Sequence, residues 1–338
     1  MNPINELQKH RSVPLYIEES RALNYLFPIS VTAGQAFIYP DRVELYLDGR
    51  YIEQYRNLPY ANPIPQEYTL PEKVAFDGSH LSYQRVQQLM RLYPQTEWIN
   101  EANPLETIRA IKSEEEKTAL RKAASLNSRG YDFVLTLLKE GVEERELAQK
   151  LHLFFIENGG ERLSFDSIIA FGDNSALPHA RASSRKLKKG DTVLIDIGVR
   201  VDNYHSDMCR TVYFKEVHPE LKKIYEIVEV AQKLALDKVR SGEKSTVLDE
   251  TARNYITEKG YGPNFAHSLG HGVGLEIHEF PTLRAKGPEV VLKPNMAITI
   301  EPGIYIPGLG GVRIEDLVIV EAHGYEDLTK RSKELKIV

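Results

Sequence analysis

At 338 residues, with 42% hydrophobic and 27% charged side chains, the chain has the make-up of a soluble globular protein and exceeds the usual size of a single core. A net charge of −5 argues against a nucleic-acid partner, which would favour a basic face. One cysteine, Cys209, excludes an internal disulfide framework, fits a reducing cytoplasmic compartment, and reads as a small buried hydrophobe in a strand. The opening MNPINELQKHRSVPLYI has no apolar stretch of the secretory kind, and no apolar run approaches the ~20 residues that a membrane helix needs.

Residues 1–109 read as a small α/β unit. QAFIYPDRVELYLDGRYIEQYRN gives strand, Pro-Asp turn, strand, then a helix opening after Asp48-Gly49. KVAFDGSHLSYQRVQQLMRLYP repeats the logic, with a strand to Phe76, a turn at Asp77-Gly78 and a helix into Leu92. Alternating strands and helices predict a mostly parallel or mixed sheet, and the Pro-rich LPYANPIPQEYTLPEK between them reads as a loop.

Residues 110–338 read as a second domain. Ser113 and Glu116 form a capping box, so a long helix is expected from there to about Lys139. This domain repeats itself. Gly141 and Gly159 bracket one helical unit, Gly242 and Gly260 bracket another of the same length, and Leu147 aligns with Leu248, Phe155 with Ile256 and Glu157 with Glu258. A long helix precedes each unit; the second is expected to open at Pro219 and end at Gly242. Each unit leads into a strand-rich segment.

The first such segment, DTVLIDIGVRVDNYHSDMCRTVYF, reads as a hairpin turning at Val201-Asp202. Pairing Arg200 with Asn203 would set Asp196 directly opposite Asp207, with Cβ atoms ~5 Å apart. In the second, MAITIEPGIYIPGLGGVRIEDLVIV, a fold-back near Gly308 sets Glu301 opposite Glu315. Acids facing acids in apolar strands need partners or metals. Two divalent cations ~3.5–4 Å apart, bridged by carboxylates, would satisfy all four. A histidine is the natural fifth ligand, and HSLGHGVGLEIHE, with three of the ten histidines, lies between the hairpins. Oxygen-rich ligation with one imidazole suits manganese, iron(II), cobalt or zinc.

The order Asp196, Asp207, His271, Glu301, Glu315 resembles the five metal ligands of the M24 "pita-bread" metallopeptidases, which include methionine aminopeptidase, Xaa-Pro aminopeptidase and prolidase. The motifs DIG, SDMCRT, SLGHGVGLEIHE, EPGIY and VRIED come in the family's order, and PHA at His179 stands where the family keeps a catalytic histidine. LYLDGRYIEQ and NPLETIRAIKSEEEKTALRKAA are similar to the creatinase/prolidase N-terminal domain, although FPISVTAGQAF replaces its usual Gly-rich opening. The resemblance implies an α+β pita-bread catalytic domain with an internal pseudo-two-fold repeat, preceded by a small α/β creatinase-type domain.

It also implies roles. Asp207 and Glu315 would bridge two ions, manganese ahead of cobalt, zinc or iron(II); Asp196 would hold one ion, and His271 with Glu301 the other. A bridging hydroxide would attack, with Glu301 as general base. His278 and His179 would act on the scissile carbonyl, and His267 would line the substrate pocket. Arg313, two residues from Glu315 on one strand face, is expected to orient that carboxylate, with Tyr305 a weaker supporting candidate. His10, His80, His152, His205, His218 and His323 read as ordinary.

The implied activity is hydrolysis of the N-terminal Xaa-Pro bond by a homodimer acting on peptides with proline second. Related prolidases often carry an arginine shortly after the third histidine; here Thr282 stands there and Arg284 is displaced, which favours an aminopeptidase over a dipeptidase. A non-catalytic peptide- or partner-binding protein is the more distant alternative.

Overall fold

The computed structural model describes residues 2–9 and 11–338; Met1 and His10 lie outside the described residues. The chain separates into two compact units, Met1–Arg109 and Ala110–Val338.

The first unit is built on a mixed six-stranded sheet. Its strands run in the spatial order Ala61–Pro63, Val43–Leu47, Gln35–Ile38, Leu15–Ile17, Lys73–Phe76 and Glu97–Asn100. Alternation along each strand sorts the side chains by face. Leu15, Ile17, Ala36, Ile38, Leu45 and Leu47 join an aliphatic core with Leu23 and Leu26. Tyr16, Phe37 and Val74 turn the other way, against Leu89, Tyr46, Tyr68 and Trp98. The Pro-rich segment expected to be a loop contributes the edge strand Ala61–Pro63, parallel to Val43–Leu47. An edge position tolerates Pro63, because no neighbour there needs its missing N–H.

In the second unit, Ser113 caps the helix Glu114–Leu137 through the expected capping box with Glu116. The two repeats are reproduced in local detail. Helices Glu144–Glu157 and Ser245–Glu258 have equal lengths. The bracketing glycines Gly141, Gly159, Gly242 and Gly260 all sit at φ between 85° and 93°, which a side chain would resist. The N–H of Gly141 donates to the Leu187 carbonyl, and that of Gly242 donates to the Leu292 carbonyl, each at 2.9 Å. The helix from Pro219 closes at Leu236, short of the expected Gly242, because the N–H groups of Asp237, Lys238 and Val239 bond back within the last turn.

Each half carries its own core. Val134, Leu147, Leu151 and Phe155 pack with Ile169, Val193, Ile195 and Val212 in the first half. Ile224, Val228, Leu248 and Ile256 pack with Ile298, Ile300 and Val318 in the second. The first half's strands Ile168–Phe171, Thr192–Ile197 and Met208–Tyr213 form one antiparallel sheet. The second half's strands Glu279–Leu283, Gly270–Gly272, Ala297–Ile300, Asp316–Glu321 and Gly324–Asp327 form another.

The first hairpin departs from the expected register. Val201 pairs with Tyr204 and Arg200 with His205, so the turn is Asp202-Asn203, both at positive φ (49° and 69°). Asp and Asn tolerate the left-handed region, whereas β-branched Val201 would be strained there. Asp196 therefore faces Cys209 and not Asp207. The shift is an even number of residues, so Asp207 stays on the same face, one diagonal step away.

Helices Glu114–Leu137 and Glu144–Glu157 approach closely at Gly130, where an added Cβ would lie 2.3 Å from Phe155 Cε1. Gly130→Ala is expected to lose about 1–2 kcal/mol, since overpacking outweighs the helix propensity gained. Urea unfolding measures it; a more stable variant would show that Phe155 can swing aside.

Candidate metal centre and active-site cavity

The two hairpins meet at one buried strip. In the second, Ile300 pairs with Asp316 and Gly303 with Arg313, so Glu301 comes opposite Glu315. The ladder opens at these acids. Pro302 has no N–H to offer, the N–H of Glu301 donates to the Leu269 carbonyl at 2.8 Å, and that of Glu315 donates to the Cys209 carbonyl at 3.0 Å. Two residues further along the first hairpin, Thr211 Oγ1 accepts from the N–H of Arg313 (3.2 Å) and donates to its carbonyl (3.0 Å). The segment Arg313–Asp316 is thus docked on Cys209–Thr211.

Beneath the strip lies Arg210, 1% exposed. Its guanidinium donates to the Glu315 carbonyl and, at 2.6 Å, to Asp316 Oδ1. Gln232 Nε2 (3.0 Å), Thr329 Oγ1 (3.0 Å) and Lys333 also bond Asp316. Burial would raise the Asp316 carboxyl, but the Arg210 and Lys333 charges hold it below the usual range.

His271 is presented by the short strand Gly270–Gly272. A Cβ on Gly270 would sit 2.0 Å from the Thr299 carbonyl oxygen, and one on Gly272 would sit 2.3 Å from that of Phe280, so only glycine allows this approach. The His271 N–H donates to Thr299 Oγ1 at 3.1 Å, and Nδ1 lies 3.0 Å from the Gly272 carbonyl. A carbonyl only accepts, so Nδ1 carries the proton and Nε2 is turned to the acids. Nε2 lies 3.4 Å from Glu301 Oε1 and 3.6 Å from Asp207 Oδ2. Asp207, His271 and Glu315 each place a ligand atom within 4.8 Å of the others.

The electrostatics are strained as protein alone. Burial, then the neighbouring acids, pushes Asp207 and Glu315 well above the usual carboxylate range. Burial also raises Asp196, against the pull of Arg313. Burial would lower His271, but Glu301 and Asp207 outweigh it and carry the imidazole up to about 9. Burial likewise opposes ionised Glu301, yet His271 beside it brings the net shift below the ordinary value. Asp196 Oδ1 is buried with no hydrogen-bond partner. Four acids, one imidazole with its free nitrogen inward and an orphaned carboxylate oxygen fit divalent cations.

All five of these residues line one cavity of about 500 Å³, together with His179, His267, His278 and Arg313. Tyr305 sits behind the wall, 5% exposed. Arg313 does not reach Glu315 as expected. Its guanidinium pairs with Asp196 across the two hairpins and donates to Tyr305 Oη at 2.6 Å. Tyr305 Oη in turn lies 2.9 Å from His267 Nε2, while His267 Nδ1 faces the Ser268 carbonyl at 2.8 Å. That carbonyl fixes the proton on Nδ1, so Nε2 accepts from Tyr305, and burial lowers the His267 pKa in keeping with a neutral ring. His278 is exposed and packs its ring edge-on to His271 at 4.4 Å between centroids. His179 is exposed on the wall.

Sequence reasoning passed over Thr299, which ties His271 to the strand before Glu301, and the pair Arg210–Asp316. Both left a trace: Thr299 is two residues from Glu301 on one strand face, and Arg210 is a lone charge within an apolar strand. Arg181 and Asp166 on the wall had no such signature.

The sequence pattern of metallopeptidase family M24 matches residues 118–322. The chain is 42% identical to the Xaa-Pro dipeptidase of Pyrococcus furiosus over 78% of this chain and 75% of that one. Among solved structures, an Xaa-Pro dipeptidase from Bacillus anthracis superposes with a TM-score of 0.94 at 35% identity, covering 99% of each chain. An X-Pro aminopeptidase from Thermotoga maritima superposes with a TM-score of 0.87 at 28% identity, covering 96% of this chain and 97% of that one. These likenesses bear out the α+β pita-bread fold with its small α/β N-terminal unit. On the family match, the extent of these relatives and the acid–histidine cavity they share a fold with, the chain belongs to metallopeptidase family M24.

Proposed function

We propose that this metallopeptidase hydrolyses Xaa-Pro dipeptides in the cytoplasm. The chemistry rests on one observation: the buried carboxylates of Asp196, Asp207 and Glu315, the partly buried Glu301 and an inward imidazole nitrogen converge in a cavity large enough for a small peptide. The substrate class is supported by the relatives named Xaa-Pro dipeptidase at 42% identity and, among solved structures, by 35% for the Xaa-Pro dipeptidase against 28% for the X-Pro aminopeptidase. The aminopeptidase preference expected from Thr282 gives way to them. Complete acid and histidine positions weigh against a binding protein without catalysis.

Asp196, Asp207, His271, Glu301 and Glu315 would hold two divalent ions, manganese first. Bound there, the ions supply Lewis acidity and lower the pKa of water toward ~7. Glu301 takes the proton of the attacking water and hands it to the leaving proline nitrogen, which has no hydrogen of its own. His278 and His179, exposed on the wall, donate to the oxygen that becomes negative as the carbonyl is attacked. Arg313 holds Asp196 and Tyr305 in place, and Tyr305 holds the neutral His267. Cys209 takes no part: burial raises its thiol well above the usual value.

Release of proline from Xaa-Pro in the presence of Mn²⁺ is the direct test; no turnover on any Xaa-Pro peptide after metal loading would overturn the reading. Glu301→Gln is expected to lower kcat by roughly 10²–10⁴. Asp207→Asn removes a carboxyl that burial and its acidic neighbours disfavour in ionised form, so at neutral pH its metal-free form should melt at or above the wild-type temperature. Added Mn²⁺ should then raise the wild-type Tm but not the variant's; a variant that tracks the wild type in both would remove Asp207 from the cation site. A homodimer is expected in solution, and light scattering showing a monomer would refute it.

A further inference from the structure

A peptidase that selects two-residue substrates must recognise a free carboxylate one residue beyond the scissile bond. A carboxylate entering a cavity whose floor carries four acids needs a cation on the wall, or its desolvation is uncompensated. Two guanidiniums line this cavity. Arg313 is buried and committed to Asp196 and Tyr305. Arg181 is exposed and has no ion pair or hydrogen bond among the described residues.

The chain around Arg181 turns it to the cavity. Ala180 is 6% exposed and packs into the apolar cluster with Ile168, Leu194 and Tyr305. His179 and Arg181 flank it, both exposed and both on the wall. One segment therefore offers the cavity an imidazole and a guanidinium on either side of a buried alanine. On the opposite wall Thr282 is neutral, and the exposed Arg284 does not line the cavity. Asp166, likewise exposed on the wall, lies beyond ion-pair distance of Arg181 and leaves that charge free.

We propose that Arg181 receives the C-terminal carboxylate of the substrate and so confines the enzyme to Xaa-Pro dipeptides. This assignment rests on the Xaa-Pro reading above. A longer peptide, or an Xaa-Pro amide, places a neutral carbonyl against Arg181 and forfeits the charge-assisted pairing.

The test compares Xaa-Pro with Xaa-Pro-amide on the Mn²⁺-loaded full-length protein, as wild type, Arg181→Ala and Arg181→Lys. Calorimetric binding of a non-cleavable reduced-bond analogue, as acid and as amide, runs beside the kinetics. Wild type should prefer the acid. Arg181→Ala should raise KM for the acid roughly ten- to hundredfold, with a smaller effect on kcat, and should collapse the acid-over-amide preference. Arg181→Lys should recover part of it. An absent wild-type preference, or one unchanged in Arg181→Ala, overturns the proposal. If neither compound is cleaved but the analogue's acid preference is present in the wild type and lost in Arg181→Ala, the Xaa-Pro hydrolysis reading fails and the assignment of Arg181 stands.

Discussion

The whole site depends on a docking of backbone: the strip Arg313–Asp316 lies on Cys209–Thr211, with Glu315 donating to Cys209 and Thr211 bonding Arg313 both ways. Without it, each hairpin would present a modest pair of acids. With it, Asp196, Asp207, Glu301 and Glu315 share one cavity, and their charges become a single electrostatic problem. In the protein alone, burial and the neighbouring acids raise Asp207 and Glu315 well above the usual carboxylate range, and Glu301 and Asp207 carry His271 up to about 9. Cations among the same oxygens would offset the crowding without protons, so metal and proton would compete for this centre.

Two guanidiniums hold the strip from either side. Arg313 crosses from the second hairpin to Asp196 of the first, and Arg210 crosses from the first to Asp316 of the second. Buried ion pairs of this kind add little net stability compared with apolar packing, because desolvation offsets their attraction. Their value here is geometric. Arg313 fixes Asp196 within the crowded centre and Arg210 fixes Asp316 just outside it, and each pair is directional enough to set the register in which the hairpins meet.

What the sequence disclosed follows from the range of each interaction. The capping box at Ser113, the alternating faces of the first sheet and the paired glycines around the two helices are local patterns, and they stand in the structure. The second hairpin's register was legible because glycines and Pro302 bracket its centre. The first was misread by the width of a turn, because Asp202 and Asn203 both accept positive φ and take the turn from Val201. The partner of Arg313 was misread for a different reason. Two residues on one strand suggested Glu315, while Asp196, far away in sequence, offered the better-placed charge. The absence of an arginine at Thr282 spoke against a dipeptidase only so long as the cation was sought on that strand; Arg181 arrives from a segment that only the fold brings near.

The separate cores of the two halves carry a mechanical consequence. Asp196 and Asp207 ride on one packed body, Glu301 and Glu315 on the other, so neither body alone sets the gap between the acid pairs. That gap is the width of a seam, and dense packing on both sides makes it stiff. A seam of fixed width would work as a calliper, fitting divalent ions of one radius with little strain and straining around those that are larger or smaller.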